Sequence, residues 1–192
     1  MTTLIELRDA FSQFWHSKAE IWSKQKHQSF HNSDRFEAFC AAKDNLQDTC
    51  EAIQYHMARG FSDVPSLAYI EFWGVMQALT IQRDAIRELH YAVRGHRLAG
   101  PNLPDSWLQL SEIRNQSVGH PNRKEIGEAK GVVVRCVTGR EPKSYEMLIL
   151  HYHSGKDPRH KNISLKDMIT SFEIDAVSIL KPLFTEIEEQ LG

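Results

Sequence analysis

Three side chains suited to phosphate chemistry fall within one short stretch of this 192-residue sequence. They are Arg114, Asn115 and His120, in Ile113-Arg114-Asn115-Gln116-Ser117-Val118-Gly119-His120-Pro121. An arginine presents a planar fork of N–H donors that matches phosphate oxygens. A histidine titrates near neutrality and can take or give a proton. An asparagine can fix an imidazole tautomer or orient a substrate. Together these groups suit cleavage of RNA without a metal. A base activates the 2′-OH, the oxygen attacks the adjacent phosphate, and a cation stabilises the charge that gathers there. No carboxylate cluster for Mg²⁺ is evident in the sequence.

The elements that must position this trio are helices. Leu4, Leu7, Phe11, Phe14 and Ile21 share one face of a first helix over roughly 3–27. Asn32 or Ser33 can cap a second helix, striped by Phe36, Phe39, Cys40, Leu46, Cys50, Ile53 and Met57 and ended by Gly60. A third, of about thirty residues, runs from a cap at Ser62 or Asp63 to Gly95, with Phe72, Val75, Leu79, Ile86, Leu89 and Val93 inward. A fourth, capped by Asp105, carries Trp107, Leu108, Leu110 and Ile113 and stops at Gly119 and Pro121. Arg114 and Asn115 lie in its last turns. His120 precedes a proline, which pushes it out of the helical spiral.

Two β-type runs follow, Val132–Val134 and Met147–Leu150, around the turn Thr138-Gly139-Arg140-Glu141-Pro142. They predict a hairpin over about 131–137 and 145–152. Ser164 and Asp167 resemble a capping box for a last helix, which Pro182 should kink. The expected architecture is mainly α: a single domain over 1–192, built as an antiparallel bundle of four to five long helices, with a β-hairpin inserted before the last.

Arg114-Asn115-…-His120, at the end of a late helix in a helical bundle, resembles the Arg-x(4–6)-His motif of the HEPN superfamily (higher eukaryotes and prokaryotes nucleotide-binding). That resemblance implies a metal-independent endoribonuclease acting on single-stranded RNA, in a toxin or defence setting. It implies a homodimer whose two motifs face each other across a cleft. It makes Arg114 and His120 catalytic and Asn115 supportive, with no cofactor. Gln82 and Arg83 of the third helix, and the basic pair Arg123 and Lys124, would line the substrate cleft. Some HEPN branches are inactive, so the alternative is a non-catalytic helical homodimer that binds a nucleotide, RNA or a protein partner such as an antitoxin.

Charge distribution is compatible with either. Between residues 114 and 161 stand ten Lys/Arg against five Asp/Glu, so this segment is net +5 in a chain of net charge −2. A positive region on an acidic body suggests a local anion site; a solvated hairpin surface is the plain alternative. Gln82 falls on the apolar stripe of its helix and needs a partner, either a local one or a ligand. Arg83, Asp84, Arg87 and Glu88 read as surface ion pairs. His151, His153, Asp157 and His160 could bind a metal or a phosphate, although no second ligand cluster accompanies them. Cys40, Cys50 and Cys136 are odd in number and lack a Cys-x-x-Cys pair, which favours a reducing, cytoplasmic setting. No apolar run approaches the ~18 residues of a membrane span.

Overall fold

The computed structural model describes residues 2–18, 30, 32–119, 124–126, 129–138, 145–153 and 159–191; for 101, 116, 119, 124–126, 129–138, 146–153, 159–161 and 191 it describes the backbone alone. Among these residues are five α-helices: α1 (Leu4–Ser17), α2 (Ser33–Arg59), α3 (Pro65–Arg94), α4 (Asp105–Arg114) and α5 (Leu165–Leu191). The chain is mainly α-helical, as its apolar periodicity predicts. The part of the first helix expected over 19–27 lies outside the described residues.

Local chemistry accounts for most helix ends. Thr3 and Glu6 form a reciprocal capping box at the start of α1. Asn32 accepts the Arg35 amide at 2.8 Å and opens α2. Gly60 (φ 79°) and Gly95 (φ 81°) end α2 and α3 in conformations that resist any residue with a Cβ. Two starts differ from expectation. Val64, not Ser62 or Asp63, is the cap of α3, and Pro104, not Asp105, is the cap of α4. Pro65 presets the first turn of α3, whereas Pro104 is itself the extended residue before α4, and neither start has a side-chain cap bond. Helix α5 continues through Pro182.

Packing follows the stripes. α2 lies along α3, joined by a short link that makes them antiparallel neighbours, and α5 packs against α1, α3 and α4. Phe39, Phe72, Leu79, Ile86, Trp107, Leu110 and Phe172 are fully buried. Each such side chain contributes about 1.5–3 kcal/mol by leaving water. Phe11 stacks on Phe184 at 3.9 Å between ring centroids, and Trp107 on Phe172 at 5.4 Å. The cores of α1, α4 and α5 are thus joined.

The inserted β element is larger than a hairpin. β2 (Ala129–Thr138) and β3 (Glu146–His153) pair antiparallel, with Val132 opposite His153 and Thr138 opposite Met147. β1 (Lys124–Ile126) and β4 (Arg159–Ser164) flank them, giving a four-stranded sheet in the order β1-β2-β3-β4. β4 reads Arg-His-Lys-Asn-Ile-Ser and lacks an apolar alternation. It forms because β3 offers it a backbone edge, with Met147 opposite Ile163 and His151 opposite Arg159.

Gly74 stands in the middle of α3, and a Cβ built on it meets nothing within 4 Å. Glycine costs a helix interior about 1 kcal/mol relative to alanine. Gly74→Ala is therefore expected to stabilise the monomer fold by about 0.5–1 kcal/mol, read as a higher midpoint in urea unfolding at protein concentrations where the chain is monomeric. A lower midpoint would contradict the open space at this position.

Candidate functional site

Trp107, Leu110 and Ile113 bury one side of α4 against α3 and α5, and this fixes where Arg114, its last residue, emerges. The helical spiral then loosens. Asn115–Gly119 form a single π-helical turn instead of a further α-turn. Such turns insert an extra residue into the spiral and recur at functional sites. Ser117 is buried there, its hydroxyl donating to the Ile113 carbonyl at 2.6 Å.

Arg114 is partly buried and meets neutral groups. Its Nη1 donates to Asn115 Oδ1 at 3.3 Å and its Nη2 to Gln77 Oε1 of α3 at 3.5 Å. Its Nε is buried and finds no hydrogen-bond partner among the described residues. Other arginines of the helical core differ. Arg8, Arg59, Arg83, Arg87, Arg94 and Arg97 all pair with carboxylates. Arg35 donates to the Ala92 and Val93 carbonyls at the end of α3. Among the described residues no carboxylate pairs with Arg114, so its half-buried guanidinium, lying between α3 and α4, keeps its positive charge available to an anion.

The remaining sequence candidates are dispersed. Asn115 is exposed beside Arg114. His120 and Arg123 lie outside the described residues; Lys124 opens β1, described in backbone only. Arg83 is held within the α3–α4 contact, donating to Asp84 Oδ1 at 2.8 Å and to Ser111 Oγ at 2.5 Å. Gln82 is only 1% exposed and points into the helical core. Its amide donates to Cys50 Sγ at 3.2 Å, and burial pushes that thiol up to about 12. Gln82 therefore does not join Arg114. The metal-binding possibility at His151, His153, Asp157 and His160 rests on side chains outside the described ones. Among the described residues no group of three His, Cys, Asp or Glu could hold a metal ion, and no helix is long and apolar enough to cross a membrane.

One polar cluster was not anticipated from sequence. Tyr145 is buried at the entry to β3 with a left-handed backbone (φ 57°). Its hydroxyl donates to the His56 carbonyl at 2.8 Å, so the 2.8 Å contact from His56 Nδ1 has the ring as donor. Neutral His56 then carries its proton on Nδ1 and turns Nε2 toward Glu71 Oε2, 3.9 Å away. Burial works against charge on Glu71, but bonds from Arg59 and the Ser62 amide outweigh it and hold the carboxyl below its usual range. Since Leu165 N also donates to the Tyr145 carbonyl at 2.8 Å, this cluster joins the sheet to α2, α3 and α5. His56 lies on the α2 stripe, three residues past Ile53 and seven past Thr49. The polar-residue-on-a-stripe rule that flagged Gln82 flags His56 equally.

Burial, reinforced by Arg59, lowers the pKa of His56 despite the opposing pull of Glu71. Burial likewise lowers that of His90, helped by Arg94 and opposed by the His96 carbonyl. For a histidine depressed in the folded state, the unfolded chain binds the proton more tightly. The associated stability is present above the ordinary value of 6.5 and is lost as pH falls below it. Thermal midpoints are expected to fall between pH 7.5 and 5.5, and less steeply in His56→Gln. A flat profile in the wild type would contradict this.

Comparison of the chain with protein-family models, with curated proteins and with solved structures returns no match.

Proposed function

We propose that the chain is a metal-independent endoribonuclease of HEPN type, acting in the cytoplasm on single-stranded RNA as a homodimer, in a toxin or defence role. The observation that carries this reading is the Arg114 guanidinium, cationic, partly buried and met only by amide oxygens among the described residues. In this reading Arg114 neutralises charge on the scissile phosphate and Asn115 orients the substrate. His120 takes the 2′-OH proton as the 2′-oxygen attacks phosphorus. The bond to the 5′-oxygen breaks, that oxygen receives the proton, and a 2′,3′-cyclic phosphate remains.

The dimer is supported by the outer face of α3. Leu67, Ile70 (60% exposed), Trp73 (48% exposed) and Ile81 stand in solvent there, with Gly74 and Gln77 among them. Exposed apolar residues concentrated on one helix face mark an interaction surface. A two-fold axis at Gly74 sets Leu67 opposite Ile81 of a second copy, because each is seven residues from the glycine. The same face also suits the second reading, in which the chain is a non-catalytic dimer that binds RNA, a nucleotide or a protein antitoxin.

Purified protein, incubated with end-labelled single-stranded RNA in EDTA beside His120→Ala, tests the choice. Cleavage by the wild type and none by the variant supports the nuclease. A folded dimer that leaves RNA intact, like its variant, shifts the assignment to the binding module.

A further inference from the structure

Arg114 reaches back from the end of α4 to α3, and the group it meets there is the side chain of Gln77. An arginine fork has five N–H donors and rotates readily unless acceptors bias it. Here two amide oxygens do so, from Asn115 on the π-turn and from Gln77 on a thirty-residue helix packed on both sides. Both contacts are long and neutral. They orient the guanidinium without neutralising it. A carboxylate at position 77 would have the same reach and the opposite effect, as Asp84, Glu88 and Glu186 show by pairing with Arg83, Arg97 and Arg94.

We infer that Gln77 is a positioning residue for Arg114: from the outer face of α3 its side-chain carbonyl holds the guanidinium facing outward for a substrate phosphate, without competing for its charge. The inference rests on the reading of Arg114 as a phosphate-binding group and adds to it a second-helix anchor that no motif contains. It also accounts for an exposed amide among Ile70, Trp73 and Ile81, where the helix face is otherwise apolar. Asn115 cannot do this alone, because it moves with Arg114 on the same chain segment, whereas Gln77 ties the fork to a different helix.

The test uses a 2′-O-methyl RNA oligonucleotide, which presents phosphates and cannot be cleaved, and measures Kd against salt for wild type, Arg114→Ala, Gln77→Ala and Gln77→Glu. Position 77 is exposed on a helix of the single chain, so these variants keep its fold, and because it also lies on the face assigned to the dimer, binding is compared at matched oligomeric state by light scattering. Gln77→Ala is expected to weaken binding about twofold, the lower end for one lost neutral hydrogen bond, because the contact is long and acts through Arg114. Its salt slope stays that of the wild type, since the cation still meets the phosphate. Gln77→Glu is expected to weaken binding about tenfold or more and to flatten the slope by about 0.7, one single-strand phosphate contact, as Arg114→Ala does. Adding Gln77→Ala to Arg114→Ala changes nothing further.

Wild-type affinity and slope in Gln77→Glu, with Arg114→Ala impaired, would overturn the role of Gln77 and leave the phosphate site standing. Equal binding by wild type and Arg114→Ala would overturn the phosphate site itself. In that event the rotation of the Arg114 guanidinium, followed by ¹H–¹⁵N side-chain spectra, still decides on Gln77. Faster rotation in Gln77→Ala shows that it holds the fork, and unchanged rotation removes it from any positioning role.

Discussion

Arg114→Ala is expected to lower kcat/KM for metal-free RNA cleavage by roughly 10²–10³, the usual effect of removing one donor aimed at developing negative charge. The fold should survive, because among the described residues the side chain gives up two long hydrogen bonds, at 3.3 and 3.5 Å. Removing a buried Nε that has no hydrogen-bond partner among the described residues even relieves a small desolvation penalty. Arg114→Lys is expected to be intermediate. It retains the charge and loses the planar fork, so it keeps salt-dependent binding better than turnover. Steady-state cleavage of a fluorescent oligonucleotide in EDTA gives both parameters. A loss confined to KM would mean that Arg114 binds ground state and transition state equally. Unchanged cleavage in the alanine variant would exclude Arg114 from the chemistry.

The contrast between Arg114 and Gln82 shows how far this site is legible in sequence. Arg114, Asn115 and the helix end that carries them follow from the stripe of Trp107, Leu110 and Ile113 and from the helix stops beyond. The groups around them do not. Gln77 comes from 37 residues away, and nothing in the local pattern of α3 ties it to α4. Gln82 draws attention as a polar residue on an apolar stripe, and its partner is Cys50, 32 residues away in the core. Periodicity shows which face turns inward, while the identity of the neighbour on that face depends on how two helices register. The same limit explains β4: its residues lack strand patterning, and the backbone edge that recruits it belongs to β3. The glycine ends at Gly60 and Gly95 were readable because the constraint there is local to one residue. The π-turn at Asn115–Gly119 was not, because no local sequence pattern separates it from a further α-turn.

Trp107→Ala is expected to destabilise the fold by about 3–5 kcal/mol, the range for truncating a fully buried aromatic. Trp107 is 0% exposed and stacks on Phe172 of α5. Its carbonyl also accepts the Ser111 hydroxyl at 2.7 Å, and Ser111 in turn accepts from Arg83 of α3. Helix α4 has ten residues, too few to hold a helix in water without tertiary packing. Loss of the indole therefore acts beyond the cavity it leaves. It loosens the whole of α4, and Arg114 at its end loses the fixed angle from which it reaches Gln77. Stability and RNA cleavage should fall together, with the activity loss persisting at temperatures where the variant is still folded. Trp107→Phe separates packing from polarity. It preserves most of the ring stack and removes an indole N–H that is buried without a partner among the described residues. Its cost is expected to be about 1–2 kcal/mol, well below that of alanine. Urea unfolding of both variants gives these differences. A Trp107→Ala protein within 1 kcal/mol of wild type would mean that α4 is held by Leu110 and Ile113 alone, and that the orientation of Arg114 does not depend on the indole.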